Sequence, residues 1–258
     1  MKQESIEIRA EKTAKAFGHY TIRDDIAYCD LCGQPLQKKI VLGDREKLVW
    51  CTCQCRDTQA NKSNAERIKK LQKLGSVSPN CTFDRAQTSR PVDVCRRYAS
   101  RWDDAEKRGA GLLLWGGVGT GKTFAAHCIA NELINRGIPV LITSLSRVMN
   151  SGFDRTAILS RIRETPLVCF DDLGVERSSE YALETVFLLV DERYRSGRPL
   201  IVTTNLTEKE LHFPQDIDRK RIYDRILERC VPLHFDGGSK REEQAAETRK
   251  FMKELLEG

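Results

Sequence analysis

Residues 111–133 read GLLLWGGVGTGKTFAAHCIANEL: a short apolar run, a glycine-rich turn and an amphipathic segment in direct succession. The phosphate-binding pattern G-x-x-x-x-G-K-[ST] is met over Gly116-Gly117-Val118-Gly119-Thr120-Gly121-Lys122-Thr123. Glycines let backbone N–H groups close around phosphate oxygens where a Cβ would block the approach. Lys122 is expected to present a point charge to the β- and γ-phosphates, and the Thr123 hydroxyl to ligate Mg²⁺. Leu112–Trp115 predicts a buried strand. Phe124, Ile129 and Leu133 give the following segment, 123–133, an apolar side, so a helix is expected to aim its positive end at the anion. ATP and Mg²⁺ are the cofactors this stretch implies.

Working downstream, short apolar strands alternate with helices, the pattern of a parallel sheet covered on both faces. Pro139–Thr143 predicts one strand, and a helix over 158–164 leads to the next, Leu167-Val168-Cys169-Phe170, which ends in Asp171-Asp172-Leu173-Gly174. Ligands of an open α/β sheet bind at the carboxyl ends of its strands, so this acidic tip reads as a Walker B element. Asp171 is expected to hold Mg²⁺ through water and Asp172 to orient the attacking water. After a helix over 181–195, stopped by Gly197 and Pro199, the strand Leu200–Thr203 ends in Thr204-Asn205. Asn205 is a candidate sensor of the γ-phosphate or of the lytic water.

Upstream, five of the ten cysteines fall between Cys29 and Cys55. The segment runs YCDLCGQPLQKKIVLGDREKLVWCTCQC, a C-x-x-C knuckle with Gly33, then two strands, Lys39–Leu42 and Lys47–Trp50, joined at Gly43-Asp44, then Cys51, Cys53 and Cys55. Two thiolates two residues apart, joined by others about 20 residues later, build a tetrahedral Zn²⁺ site. Cys29, Cys32, Cys51, Cys53 and Cys55 are five candidates for four positions. A charged helix over 65–74 follows. The expected organisation is therefore a small zinc-binding unit over 1–75, a linker over 76–82 opened by Ser76-Val77-Ser78-Pro79, and an ATPase domain over 83–258, with a helix from Val94 to Lys107 near its start.

Charge excludes a strongly basic nucleic-acid tail. The 43 basic and 37 acidic residues leave +6 overall, and Lys69-Lys70 reads more readily as a solvated helix face than as a DNA patch. No run reaches the roughly 18 apolar residues of a membrane helix. The polar N-terminus lacks the apolar core of a signal peptide, so no membrane association and a cytoplasmic location are expected.

GGVGTGKT, VCFDDLG, IVTTNL, RIYDRILERC and GGSKR, in this order, resemble the AAA+ ATPases of the bacterial helicase-loader family, the DnaC/DnaI type, over about residues 81–241. The resemblance implies an α/β AAA+ P-loop NTPase, a parallel sheet flanked by helices, with a small N-terminal zinc-binding domain that grips a replicative hexameric DNA helicase. The motor domain accompanies that helicase onto single-stranded DNA. Arg225 matches the arginine finger, which reaches a neighbour's nucleotide and so implies a homo-oligomer, and Arg241 matches the second sensor. Arg221, Arg225 and Arg229 also recur every four residues beside Asp224 and Glu228, the spacing of helix-surface ion pairs. Asp172 stands where many AAA+ proteins carry glutamate; the shorter side chain suggests slow, switch-like turnover. IstB-type transposition helpers, which assemble on duplex DNA, share nearly the same core motifs; the cysteine pairs here fit a zinc-bearing loader better. Arg155, Arg161 and Arg163 lie where a pore-facing DNA contact or plain surface charge is expected.

Overall fold

The computed structural model describes residues 20–30, 32–42, 45–51, 53–144, 148, 155–174 and 180–257. The chain divides into two compact units, Met1–Arg67 and Ile68–Gly258.

In the first unit β1 (Tyr20–Arg23) pairs antiparallel with β2 (Ile26–Cys29), and β3 (Gln37–Leu42) with β4 (Arg45–Trp50). The first turn uses Asp24 and Asp25 at φ 48° and 61°, the left-handed pair of a two-residue hairpin. The second strand pair realises the hairpin expected from the sequence, each strand longer than its apolar residues alone marked. Its turn at Gly43 and Asp44 lies outside the described residues. Buried here are Ala27, Cys29, Leu36 and Cys53, with Tyr20 packed edge-on against Trp50 at 5.6 Å between ring centroids. Among the described residues these buried side chains are few, the setting in which small domains draw on metals or disulfides.

The division between units falls within a helix, α1 (Gln54–Leu74), not at residue 75 as the turn formers suggested. Ile68 and Leu71 on its last turns pack against the core of the second unit, while its earlier turns are too polar to show a periodic apolar face. Nor is 76–82 a loose linker. Val77 and Phe83 are buried in that core. The Asn131 amide donates to the carbonyls of Ser78 and Cys81, 2.7 Å each, and its oxygen accepts from Gln72 at 2.8 Å.

The helix expected over 94–107 is two: α2 (Arg90–Ser100), with Pro91 in its first turn, and α3 (Trp102–Arg108). Arg101, at φ −102° and ψ 29°, breaks the run so that Trp102 turns fully inward and meets Tyr98 edge-on at 6.2 Å. The remaining elements are β5 (Gly111–Trp115), α4 (Lys122–Asn135), β6 (Val140–Ser144), α5 (Arg155–Glu164), β7 (Leu167–Leu173), α6 (Glu180–Arg195), β8 (Leu200–Thr204), α7 (Glu208–His212), α8 (Ile217–Arg229), β9 (Cys230–His234) and α9 (Lys240–Glu257).

The sheet has five parallel strands in the order β6-β7-β8-β5-β9. Alternate residues serve opposite faces: Leu112 and Leu114 join Ile129 and Leu133 of α4, whereas Leu113 joins Val186, Leu189 and Val190 of α6 and Ile222 and Ile226 of α8. Three layers result. The chain leaves β5 for the far edge, returns strand by strand, then crosses to β9, so β5 sits where the strand order reverses. Ligands of open α/β sheets bind at that crevice. No apolar run announced β9. It is an edge strand with exposed Val231 and Pro232, and proline at an edge leaves no ladder donor missing. Among the described residues no helix is long and apolar enough to cross a membrane.

Candidate functional site

The crevice begins where β5 ends. Gly116 takes φ 139°, and a Cβ there would stand 2.4 Å from the Phe235 carbonyl oxygen, so the turn admits only glycine. Gly121, at φ 100°, starts α4 and leaves its first N–H groups facing the crevice. Lys122 is buried, and its Nζ donates to the carbonyls of Gly116 (2.9 Å) and Gly117 (2.6 Å) and to Oδ1 of Asn205 (2.9 Å). Thr120 Oγ1 lies further off at 3.5 Å, and the three protons of the ammonium all meet acceptors. Burial pushes the Lys122 amine down from its ordinary value, while Asp172 and Asp171 pull it back up.

On the facing side, Asp171 Oδ1 accepts from Thr123 Oγ1 (2.9 Å) and from Thr203 Oγ1 (2.6 Å). A carboxylate beside a P-loop hydroxyl is the hard-oxygen donor pair that Mg²⁺ takes, so these residues fit that ion. Strand register slips between Phe170 and Leu173, and Asp172 enters the left-handed region at φ 58°, a rare setting for a residue with a Cβ. Its backbone N–H is pinned to Thr203 Oγ1 at 2.9 Å and its side chain lines the crevice. Desolvation, then the neighbouring Asp171, raises the Asp172 carboxyl above its ordinary value; Lys122 and Arg241 oppose this.

The fold thus gathers the P-loop residues, Asp171, Asp172, Asn205 and Arg241 about one cleft of about 730 Å³. Three contributors escaped sequence reading. Thr203 reads in the sequence as part of a strand, yet it fixes both aspartates. Lys240 and His127 also line the cleft. Two buried threonines closing an aliphatic strand that neighbours the acidic tip were the available signal for the first.

His127, one turn after Thr123, accepts the Ser78 N–H on Nδ1 at 3.1 Å. Burial holds its pKa below the ordinary value, with Asp171 acting the other way. The unfolded chain therefore takes up the proton first on acidification. This stabilisation is complete above about pH 6.5 and is lost as pH falls below that value towards the folded pKa. Between about pH 7 and 5, the thermal midpoint of the wild type should fall more steeply than that of His127→Asn, which keeps an acceptor that does not titrate. Parallel slopes would contradict the assignment.

Arg225 lies outside the cleft lining. Its Nε donates to Asp191 Oδ1 at 2.9 Å, and its guanidinium lies over Phe187 (4.7 Å) and Tyr194 (5.7 Å). The expected pairs with Asp224 and Glu228 are replaced: Arg221 meets Asp218 at 3.7 Å, Arg229 lies over Tyr194 at 5.0 Å, and Glu228 accepts from the Tyr194 hydroxyl at 2.8 Å. Arg161 caps the Leu74 carbonyl at 2.7 Å and Arg163 pairs with Glu192 at 3.2 Å, so both are engaged within the chain; the Arg155 side chain lies outside the described residues.

Of the five clustered cysteines, the sulfurs of Cys29, Cys32 and Cys53 lie within 4.8 Å of one another. Thiolates at Zn–S distances of about 2.3 Å in a tetrahedron stand about 3.8 Å apart, so the three fit one metal ion. Gly33, at φ 69°, closes the knuckle by donating its N–H to the Cys29 carbonyl at 2.8 Å. Cys51 stands apart, its sulfur 3.7 Å from the Pro35 carbonyl oxygen. The Cys55 side chain lies outside the described residues.

The sequence pattern of the IstB-like ATP binding protein family matches residues 56–248. The chain belongs to this family. Its matched region has an AAA+ ATPase fold, and Cys29, Cys32 and Cys53 lie ahead of the match. The replicative helicase loader DnaC of Escherichia coli K12 is 26% identical over 203 residues, 71% of this chain and 79% of that one. An ATP-binding protein in an insertion sequence of Mycobacterium tuberculosis is 27% identical over 212 residues, 77% and 83% of the two chains. The crystal structure of DnaI shares the fold of the IstB-like core at a TM-score of 0.55, with 22% identity over 67% of this chain and 99% of that one.

Proposed function

We propose that this protein is an ATP-dependent loader of the replicative hexameric helicase onto single-stranded DNA, acting in the cytoplasm. The observation that carries the reading is the Cys29–Cys32–Cys53 cluster, which lies ahead of the family match at 56–248. A motor with its own metal-stapled appendage suits a protein that grips a partner with one part and switches with the other. The similarity to DnaC supports the same direction.

In this reading Lys122 and the P-loop hold the triphosphate, Thr123 and Asp171 hold Mg²⁺, Asp172 orients the water, and Asn205 and Arg241 sense the γ-phosphate. Mg²⁺ neutralises charge on the transferred phosphoryl group. Arg225 has no place on the chain's own cleft, so a finger role puts it on the nucleotide of a neighbouring copy, released from Asp191 on assembly. Asp172, shorter than glutamate and held by Thr203, supports slow turnover that DNA or the helicase stimulates. Zn²⁺, held by Cys29, Cys32, Cys53 and one further cysteine, supplies the staple for the small core of the first unit. The second reading, a transposition helper, is supported by the insertion-sequence relative.

The test is capture of the cognate replicative helicase by the intact protein, with zinc content measured alongside. We expect about one zinc per chain. Cys53→Ser should lose zinc and at least tenfold in helicase affinity while ATP affinity stays within about twofold, a tenfold loss being about 1.4 kcal/mol. No capture by the wild type would overturn the loader reading.

A further inference from the structure

The family resemblance singled out Arg241, which acts on both Lys122 and Asp172; the residue before it lies against the P-loop as well. Lys240 opens α9, and its backbone N–H donates to the Gly119 carbonyl at 3.0 Å, fastening the start of the helix to the glycine turn. Ser239 lies against the same turn, so close that a Cβ on Gly119 would come within 2.3 Å of its Oγ, and it caps the helix by accepting the Glu242 N–H at 3.3 Å. The Lys240 side chain runs over Gly121: a Cβ there would meet its Nζ and Cδ at 3.6 Å each.

This is a costly place for a cation. The first turn of a helix carries partial positive charge that favours anions. Lys240 sits in the first turn of α9 and reaches over the first turn of α4, so it faces two positive helix ends at once. Among the described residues it makes no ion pair. The cleft lining holds four cationic side chains, Arg85, Lys122, Lys240 and Arg241, against the carboxylates Asp172 and Glu247. Charge arranged against its own stability marks a site built for an absent anion.

We infer that Lys240 is a direct ligand of the nucleotide's phosphate chain, contributed by α9 where its side chain runs over Gly121. The inference rests on reading the cleft as an ATP site. It adds a second lysine to that site and makes the seating of α9 on the P-loop depend on the bound phosphates. Gly121 lies in the part of a P-loop whose backbone cradles the α- and β-phosphates, which ATP and ADP share. Lys240 therefore serves both nucleotides, unlike a γ-phosphate sensor.

Calorimetric titration of the intact protein with Mg·ATP and Mg·ADP, paired with thermal unfolding without nucleotide, tests this. Lys240→Ala should weaken both nucleotides by about tenfold, the worth of one charge-assisted hydrogen bond to phosphate. Its nucleotide-free midpoint should stay level or rise, because a cation has left two helix N-termini. Lys240→Arg should recover most of the affinity. Affinities within about twofold of wild type for both nucleotides, or a nucleotide-free midpoint lowered in step with the affinity, would overturn the role of Lys240. Failure of the wild type to bind either nucleotide would instead overturn the reading of the cleft, and the inference with it.

Discussion

Lys122→Ala should lower ATP affinity by about a hundredfold or more and reduce turnover to background, while the nucleotide-free protein stays folded. The size of the effect follows from what the ammonium does. It is buried among Gly116, Gly117 and Asn205, each within 2.9 Å, at the mouth of the turn that closes on phosphate. Charge-assisted hydrogen bonds contribute about 1.5–3 kcal/mol each, so losing two of them to the β- and γ-phosphates amounts to about 3 kcal/mol or more. Nothing replaces that charge, since Lys240 and Arg241 approach from α9. In the nucleotide-free protein the loss is far smaller, because water entering the open cleft can satisfy the carbonyl groups that Lys122 leaves. Lys122→Arg should rescue little: a planar fork cannot stand in for a point charge among those acceptors. Titration with ATP and a melt without it separate the two effects. Retained affinity would remove the P-loop assignment, and a collapse of the fold would make Lys122 chiefly structural.

The second large effect lies away from the cleft. Arg193→Met should destabilise the second unit by about 3–5 kcal/mol, as loss of one partner from a buried charged network does. Arg193 on α6 is fully buried and has no carboxylate partner among the described residues. Its guanidinium instead donates to four carbonyls, those of Ile162 (2.8 Å), Thr165 (2.7 Å), Pro166 (2.7 Å) and Pro199 (3.1 Å from Nε). The first three belong to the end of α5 and its exit into β7, where a helix leaves its last carbonyls without partners. The fourth precedes β8. One side chain thus caps a helix and ties together the entries of adjacent strands. Methionine fills the volume but leaves four carbonyls buried and unpaired. At about 2–4 °C per kcal/mol for a domain of this size, the midpoint should fall by about 10 °C. Arg193→Lys should recover part of that, with three donors in place of five. Urea unfolding reads the loss directly; a change below about 1 kcal/mol would contradict the capping role.

The phosphate turn, its strand and helix, and the acidic strand tip were legible in the chain because their chemistry demands particular residue types at short, fixed spacing. Gly116 and Gly121 are needed for backbone reasons that hold in any such turn, and Asp171 follows directly on four buried apolar residues. The break at Arg101 and the strand β9 were not legible. An apolar period reports burial one element at a time, and neither Trp102 turning inward nor a half-exposed edge strand changes that period. The packing of 76–82 was hidden for a related reason. Ser, Pro and Asn read locally as turn formers, while what pins them is Asn131, some fifty residues further on.

Sequence alone determined that this chain binds a nucleotide on a parallel sheet and carries a cysteine-rich unit ahead of it, since local residue type and spacing carry both messages. Tertiary structure decided that Cys29, Cys32 and Cys53 meet, that Thr203 contacts both aspartates, that Arg193 caps another helix, and that Lys240 lies over Gly121. Each of those is a contact between residues distant along the chain, and its geometry exists only once the strands have closed into order and brought their ends together.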